Sequence, residues 1–249
     1  MYCLAFAAPD GGPGQGAVST WTLLLPTPLP HHLVPQSLKI DMVIGITGGM
    51  GSGKSSLARL FEKRGAVLID ADRIGHEVIE RPRIRKALKK AFGESVVDAQ
   101  GKLNRRELGR RAFVDAKGGD CLNRIVHPPL VKELWRQVER AEGPGLENVV
   151  VVDAALIFEW GELHRFDAVV VVHAKEEAQI ERVARRHHLS RAEIRQRMVA
   201  QMPTAEKKAQ ADFVVENNGS LQELEEEADK LWRQLVGARA AASEDAARH

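Results

Sequence analysis

The stretch "GITGGMGSGKSS" at residues 45–56 sets five glycines and one lysine in twelve positions. Within it Gly48, Gly53, Lys54 and Ser55 satisfy the pattern G-x-x-x-x-G-K-[ST]. Each part has a physical task. Glycines let the backbone curl until successive N–H groups converge on anionic oxygens. The lysine brings a mobile positive charge to the β and γ phosphates of a nucleotide, and the hydroxyl after it can hold Mg²⁺. A helix beginning at that point aims the positive end of its dipole at the same anion. The motif works only between a strand and a helix. Here the apolar run "MVIGIT" (42–47) leads into it and the helical pattern "KSSLARLFEKRG" leads out. That commits the chain to an α/β fold.

Four more runs rich in valine and isoleucine read as strands: "AVLIDAD" (66–72), "NVVVVDAALIF" (148–158), "FDAVVVVHA" (166–174) and "ADFVVEN" (211–217). None alternates polar with apolar residues, as expected of strands covered on both faces. Helical patterns separate them, with Gly65 as a stop for the first helix and Ser220 as an N-cap for the last. The expected architecture is a doubly wound, parallel, five-stranded sheet carrying a phosphate loop. Residues 73–147 offer no strand, and "PRIRKALKKAFG", "NRRELGRRAFV" and "LNRIVHPPLVKELWRQVERAEG" carry helical spacing. They read as an inserted helical substrate domain. A second excursion at 182–210 is polar, arginine-rich and helical, and reads as a lid. The core is then 42–72, 148–181 and 211–236, and the tail 237–249 is expected to be flexible. Residues 1–41 have neither the basic n-region of a secretory signal nor the arginines of a transit peptide. They read as a disordered extension or as the product of a misassigned start, Met42 opening the first strand directly.

The phosphate loop alone names no reaction. A GTPase should carry N-K-x-D and a transporter-type ATPase an L-S-G-G-Q signature; neither is present. A helical insertion to seat an acceptor and an arginine-rich segment to close over ATP instead fit a small-molecule kinase. Asp70 and Asp72 fall at the expected C-terminal end of the second strand, the edge where ligands bind open α/β sheets. Asp72 is the candidate base for an acceptor hydroxyl, and Asp70 the candidate for structural or metal support. Asp153 ends the run "VVVVD" and could hold Mg²⁺ directly or through water. Of the six arginines between 182 and 197, Arg182 and Arg186 stand four apart, so one helix face presents both to phosphate oxygens. The others read as a solvated face. His31-His32 and His187-His188 lack metal-ligand spacing and receive no site.

The formal net charge of +2 and an aromatic content of 5% argue against a nucleic-acid partner. No run reaches the roughly 18 apolar residues of a membrane span. Only two cysteines, Cys3 and Cys121, are present, which fits a reducing, cytoplasmic setting.

Taken in order, "GITGGMGSGKSS", "VLIDADRIGHEV", "GKLNRRELGRRAF", "IVHPPL", "DAALIFEWGE", "QIERVARRHHLS", "RMVAQM" and "EKKAQADFVVENNGS" resemble the dephospho-CoA kinase family over residues 42–236. That resemblance implies ATP-dependent phosphorylation of the ribose 3′-hydroxyl of dephospho-CoA, the last step of coenzyme A synthesis. It implies that Gly49, Gly51, Ser52, Gly53, Lys54, Ser55 and Ser56 bind the ATP phosphates, with Ser55 facing Mg²⁺. Asp72 matches the catalytic base and Arg182 and Arg186 the lid arginines. Gln201 and Lys207 match the polar positions after them, and Asn217 an asparagine near the adenine. Arg105 and His127 match substrate-domain motifs. Five positions depart from the family's usual pattern: Ser56 for threonine, Asn104 for aspartate, Ala155 for proline, and His187-His188 for Asp-Gly. The alternative is another phosphate-loop kinase acting on a different small metabolite or nucleotide.

Overall fold

The computed structural model describes residues 42–114, 116–141, 148–187, 189–199 and 201–246. The expected extension at 1–41 lies outside them. Five strands form one sheet: β1 (Met42–Gly48), β2 (Val67–Asp70), β3 (Val149–Asp153), β4 (Ala168–His173) and β5 (Phe213–Glu216). Their order is β2-β3-β1-β4-β5 and every pairing is parallel. β1 is central, and the chain leaves it toward β2 on one side and later crosses to β4 on the other. The loop after β1 therefore opens at the point where the winding direction reverses, the usual place for a ligand crevice.

The valine-rich runs owe their lack of polar alternation to two cores. On one face Val43, Val150, Val152, Val169 and Val171 pack beneath the helical insertion. On the other, Ile44, Ile46, Val149, Val151, Val170 and Val172 pack against α1 (Lys54–Glu62) and α9 (Leu221–Ala246). Adjacent residues of one strand thus bury into different layers, as the two-residue period of a strand requires.

The insertion is helical as expected: α2 (Ala71–Ile79), α3 (Pro82–Phe92), α4 (Arg105–Ala112) and α5 (Ala116–Val138), with an isolated antiparallel bridge between Val97 and Leu103. Asn104 caps α4, its side chain accepting from Glu107 N–H at 3.1 Å. Asparagine and aspartate cap comparably, so that departure costs the helix little. The arginine-rich segment forms α6 (Glu176–His187) and α7 (Arg191–Val199), followed by α8 (Thr204–Gln210). Arg191 pairs with Glu177, and Arg195 with Glu176 at 3.0 Å, tying α7 to the first turn of α6. Ser220 and Glu223 form a capping box at α9, Glu223 N–H donating to Ser220 Oγ at 3.2 Å and Ser220 N–H to Glu223 Oε2 at 2.7 Å. α9 runs on to Ala246, past Val236, where the sequence reading begins a flexible tail. No helix among the described residues is long and apolar enough to cross a membrane.

The strands are shorter than the apolar runs. β2 stops at Asp70 rather than residue 72, because α2 starts at Ala71. The run 148–158 yields only Val149–Asp153 before it turns into a one-turn 3₁₀ helix, Phe158–Trp160. Apolar residues go on being buried after the strand has ended, so composition overstates strand length here.

Candidate active site

A cleft of about 800 Å³ lies above the C-terminal edge of the sheet. Its floor is the phosphate loop. Gly51 and Gly53 have φ of +75° and +101°, a region open to glycine and strained for other residues. Both are also crowded: a Cβ at Gly51 would lie 2.6 Å from Gln179 O, and one at Gly53 would collide with Asn217 Nδ2. Lys54, Ser55 and Ser56 form the first turn of α1 and line the cleft with Gly49, Gly51 and Gly53. Ser52 is fully buried behind them.

The loop is braced from outside. Asn217 Nδ2 donates to Ser52 O at 2.7 Å, and Asn217 N–H donates to His173 O at 2.7 Å. Arg182 Nη2 donates to Asn217 O at 3.0 Å, and its Nη1 approaches Ser52 O at 3.5 Å. Asn217 is thus a strut for the phosphate loop, with its amide committed to backbone. Arg182 lines the cleft with Arg185 and Arg186. The i, i+4 spacing of Arg182 and Arg186 does put both on the cleft side, and Arg185 joins them.

Asp70 and Asp72 both line the cleft but take different parts. Asp70 is the N-cap of α2, its carboxylate accepting from Arg73 N–H at 3.0 Å. With the cap supplied, Asp72 in the first turn keeps its carboxyl for the cleft. Burial raises its pKa from 3.8 to about 6 against the opposing pull of Lys54, and the charges of Asp153 and Asp70 add to the rise. Asp153, at the end of β3, is 7% exposed. Its pKa is also raised by burial, while Lys54 and a hydrogen bond from Ser55 oppose the rise. Its Oδ1 is buried without a hydrogen-bond partner.

These observations allow a direct test of whether Mg²⁺ suits the site. Among the described residues no group of three histidine, cysteine or carboxylate side chains could cage a metal. Mg²⁺ seldom needs one, since it takes one or two protein oxygens and completes its shell with phosphates and water. Asp153, buried with one bare oxygen and joined to Ser55, is such a donor set. The residues fit.

Not every residue implied by the family pattern reaches the cleft. Lys207 is 1% exposed; its Nζ donates to Ala155 O at 2.9 Å and lies 4.0 Å from Glu159 Oε1. Burial lowers its pKa, Glu159 opposes that, and Lys54 adds to it. Only Ala155 of this trio lines the cleft, so Lys207 acts on the site through the backbone it holds. Arg105, the first residue of α4, pairs with Glu80, the C-cap of α2, at 3.1 Å. His127 sits half-buried in α5 ahead of Pro128 and Pro129, and burial lowers its pKa to about 4. Neither lines the cleft. Gln201 does, with its Oε1 accepting from Met50 N–H at 3.1 Å.

Sequence reasoning passed over Gln179, Arg185 and Arg59. Gln179 is 4% exposed and points its oxygen toward Gly49. It lies within "QIERVARRHHLS", but nothing local marks its side chain as facing the loop; that depends on how α6 seats. Both Arg185 and Arg59 line the cleft; the sequence reading leaves Arg185 on the solvated face and does not single out Arg59.

The dephospho-CoA kinase (CoaE) family model matches residues 42–223. The chain is 37% identical over 195 residues to the dephospho-CoA kinase of Corynebacterium diphtheriae, covering 78% of this chain and 97% of that protein. It is 40% identical over 194 residues to that of Methylococcus capsulatus, covering 77% and 96%. Its fold superposes on the crystal structure of TT1252 from Thermus thermophilus with a TM-score of 0.66 at 36% identity, covering 78% of this chain and 97% of that one.

Proposed function

The chain belongs to the dephospho-CoA kinase family, and from that premise we propose how its cleft phosphorylates the ribose 3′-hydroxyl of dephospho-CoA, giving coenzyme A and ADP. The observation that carries this reading is the position of Asp72. A carboxyl with a pKa of about 6 shares one cleft with the phosphate loop and the lid arginines. Such a group is ionised near neutral pH and still basic enough to take a proton.

ATP lays its phosphates along Gly49, Gly51, Ser52, Gly53, Lys54, Ser55 and Ser56, where backbone N–H groups and the dipole of α1 offset their charge. Ser55 and Asp153 would hold Mg²⁺, which when bound would neutralise charge on the phosphate oxygens. Asp72 accepts the proton of the 3′-hydroxyl as its oxygen bonds to the γ-phosphorus. The bond from that phosphorus to the bridging oxygen breaks, and ADP leaves with the electron pair. Lys54, Arg182 and Arg186 stabilise the negative charge carried by the phosphoryl group in flight. Asn217 and Lys207 keep the floor rigid, one beneath Ser52 and the other beneath Ala155. Arg105 and His127 stand back from the cleft wall, so their contacts are with the acceptor beyond its reacting ribose. The partners are therefore two small molecules, ATP and dephospho-CoA, handled in the cytoplasm. A net charge of +2 and a scarcity of cysteine accord with that.

Incubating the chain with ATP, Mg²⁺ and dephospho-CoA should yield coenzyme A by mass spectrometry. Folded protein that gives none would sink the proposal, and product from a different acceptor alone would favour the other small-molecule kinase.

A further inference from the structure

At the seam between the lid and the phosphate loop, three polar atoms are buried without hydrogen-bond partners: Gln201 Nε2, Gln179 Oε1 and Ser52 Oγ. Their residues are 7%, 4% and 0% exposed. Leaving such a group unpaired forfeits the hydrogen bonds it made with water. Each calls for a partner that the chain does not supply, water or ligand.

Bonds at the far end of each amide set its orientation. Gln201 Oε1 accepts from Met50 N–H at 3.1 Å, so the nitrogen is the open end; reversing the amide would set donor against donor. Gln179 Nε2 donates to Ala174 O at 2.6 Å, which leaves its oxygen open near Gly49. Met50 secures the seam a second time. Its side chain packs in a small core with Ile180 and Val183 of α6 and Ile194 of α7. One loop residue therefore grips the lid by its side chain and Gln201 by its backbone.

Of the three atoms' residues, only Gln201 lines the cleft. Gln179 Oε1 can only accept, and phosphate oxygens offer it nothing. Gln201 Nε2 can only donate, and its residue lines the same cleft as Lys54, Arg182 and Arg186. A phosphoryl group in transfer spreads negative charge over three equatorial oxygens. A donor already held in place stabilises that charge without reorganising. We infer that Gln201 is a further catalytic residue of this kinase, its Nε2 donating to an oxygen of the transferring phosphoryl group while Met50 N–H holds the side chain. This inference rests on the kinase reading above.

Gln201→Met removes donor and acceptor while keeping side-chain length. In the full chain kcat should fall by about 10²–10³-fold, the usual cost of one preorganised donor, and by far more than ADP affinity, which loses only the brace on Met50 N–H. The parent should bind ADP more tightly when Mg²⁺ and aluminium fluoride supply a planar phosphoryl mimic, and the variant should lose that gain. An unchanged kcat would overturn the inference, as would a kcat that falls only in step with ADP affinity, the mark of a mere brace. Should Gln201→Met fail to fold, NMR of the parent decides. The Gln201 side-chain amide proton should move downfield with ADP, Mg²⁺ and aluminium fluoride but not with ADP alone; no such movement would overturn the role. A parent that makes no coenzyme A fails the kinase reading itself, whereas an active parent with an equally active variant fails only Gln201.

Discussion

The donor side of the cleft is assembled from one contiguous stretch and its struts, whereas the helical insertion proposed to seat the acceptor stands back from it. Residues 49–56 supply the loop and the first turn of α1, and Asn217, Arg182 and Gln201 hold it from three later segments. No described residue of 73–147 lines the same cleft. Arg105 pairs with Glu80 and His127 is half-buried in α5; neither reaches the cleft. The difference reflects what each ligand part demands. A triphosphate needs a dense, rigid set of donors, which a short loop can supply through its own backbone. An extended acceptor needs a surface, which only helices distant in sequence can build together.

The comparison breaks first at Lys54. Lys54→Ala should abolish turnover, by about 10³-fold or more, because it removes the charge nearest the transferring phosphate. Steady-state assays with saturating dephospho-CoA would check this, and retained turnover would show that the donor side is not centred on the loop.

Next comes Asp72→Asn, which should lower kcat by about 10²–10⁴-fold, the span of a positioned base, while leaving ATP affinity intact. An equal loss of ATP binding would make the residue structural. Parent kcat/KM should rise with pH through about 6 as the carboxyl ionises. Stability runs the other way. The folded pKa lies above the unfolded one, so this group favours folding below about pH 4, and that contribution is lost as pH rises through about 6. Above pH 6 the asparagine variant, though inactive, should therefore melt higher than the parent without nucleotide, by an amount on the order of 2 kcal/mol. Differential scanning calorimetry at pH 7.5 would test it.

Arg105→Ala probes the acceptor domain and should act more mildly. The KM for dephospho-CoA should rise by about tenfold, the worth of one charge-assisted hydrogen bond, with the KM for ATP unchanged. If both rise together, the two sides are less separate than the geometry implies.

The donor side was the more legible for the same physical reason. A phosphate loop writes its chemistry into neighbouring residues, so Gly48, Gly53, Lys54 and Ser55 could be placed from their spacing alone. Parallel order also followed from buried valine runs. What could not be read are roles set by tertiary packing. Asn217 and Lys207 are polar residues spent on backbone carbonyls more than fifty residues away, and no local pattern announces such bonds. Gln179 needed the seating of α6 to acquire its place. Asp72 was legible as a residue at the ligand-binding edge of the sheet but not as a helical one, because the last apolar position of β2 and the first turn of α2 share one run.

Asp70 separates capping from electrostatics, and its effect should be the smallest. Asp70→Ala removes the N-cap of α2 and should cost about 1 kcal/mol of stability. Asp70→Asn keeps an oxygen for Arg73 N–H, since asparagine caps as well as aspartate, and removes only the charge. That charge is one of the influences raising the Asp72 pKa, after burial and Asp153, with Lys54 opposing. The asparagine variant should therefore melt close to the parent while the acid limb of its pH profile moves slightly to lower pH. Both variants should move the limb, but only alanine should lower the melting temperature. A limb that stays fixed in Asp70→Asn would mean that Asp70 acts on the base only by starting the helix that carries it.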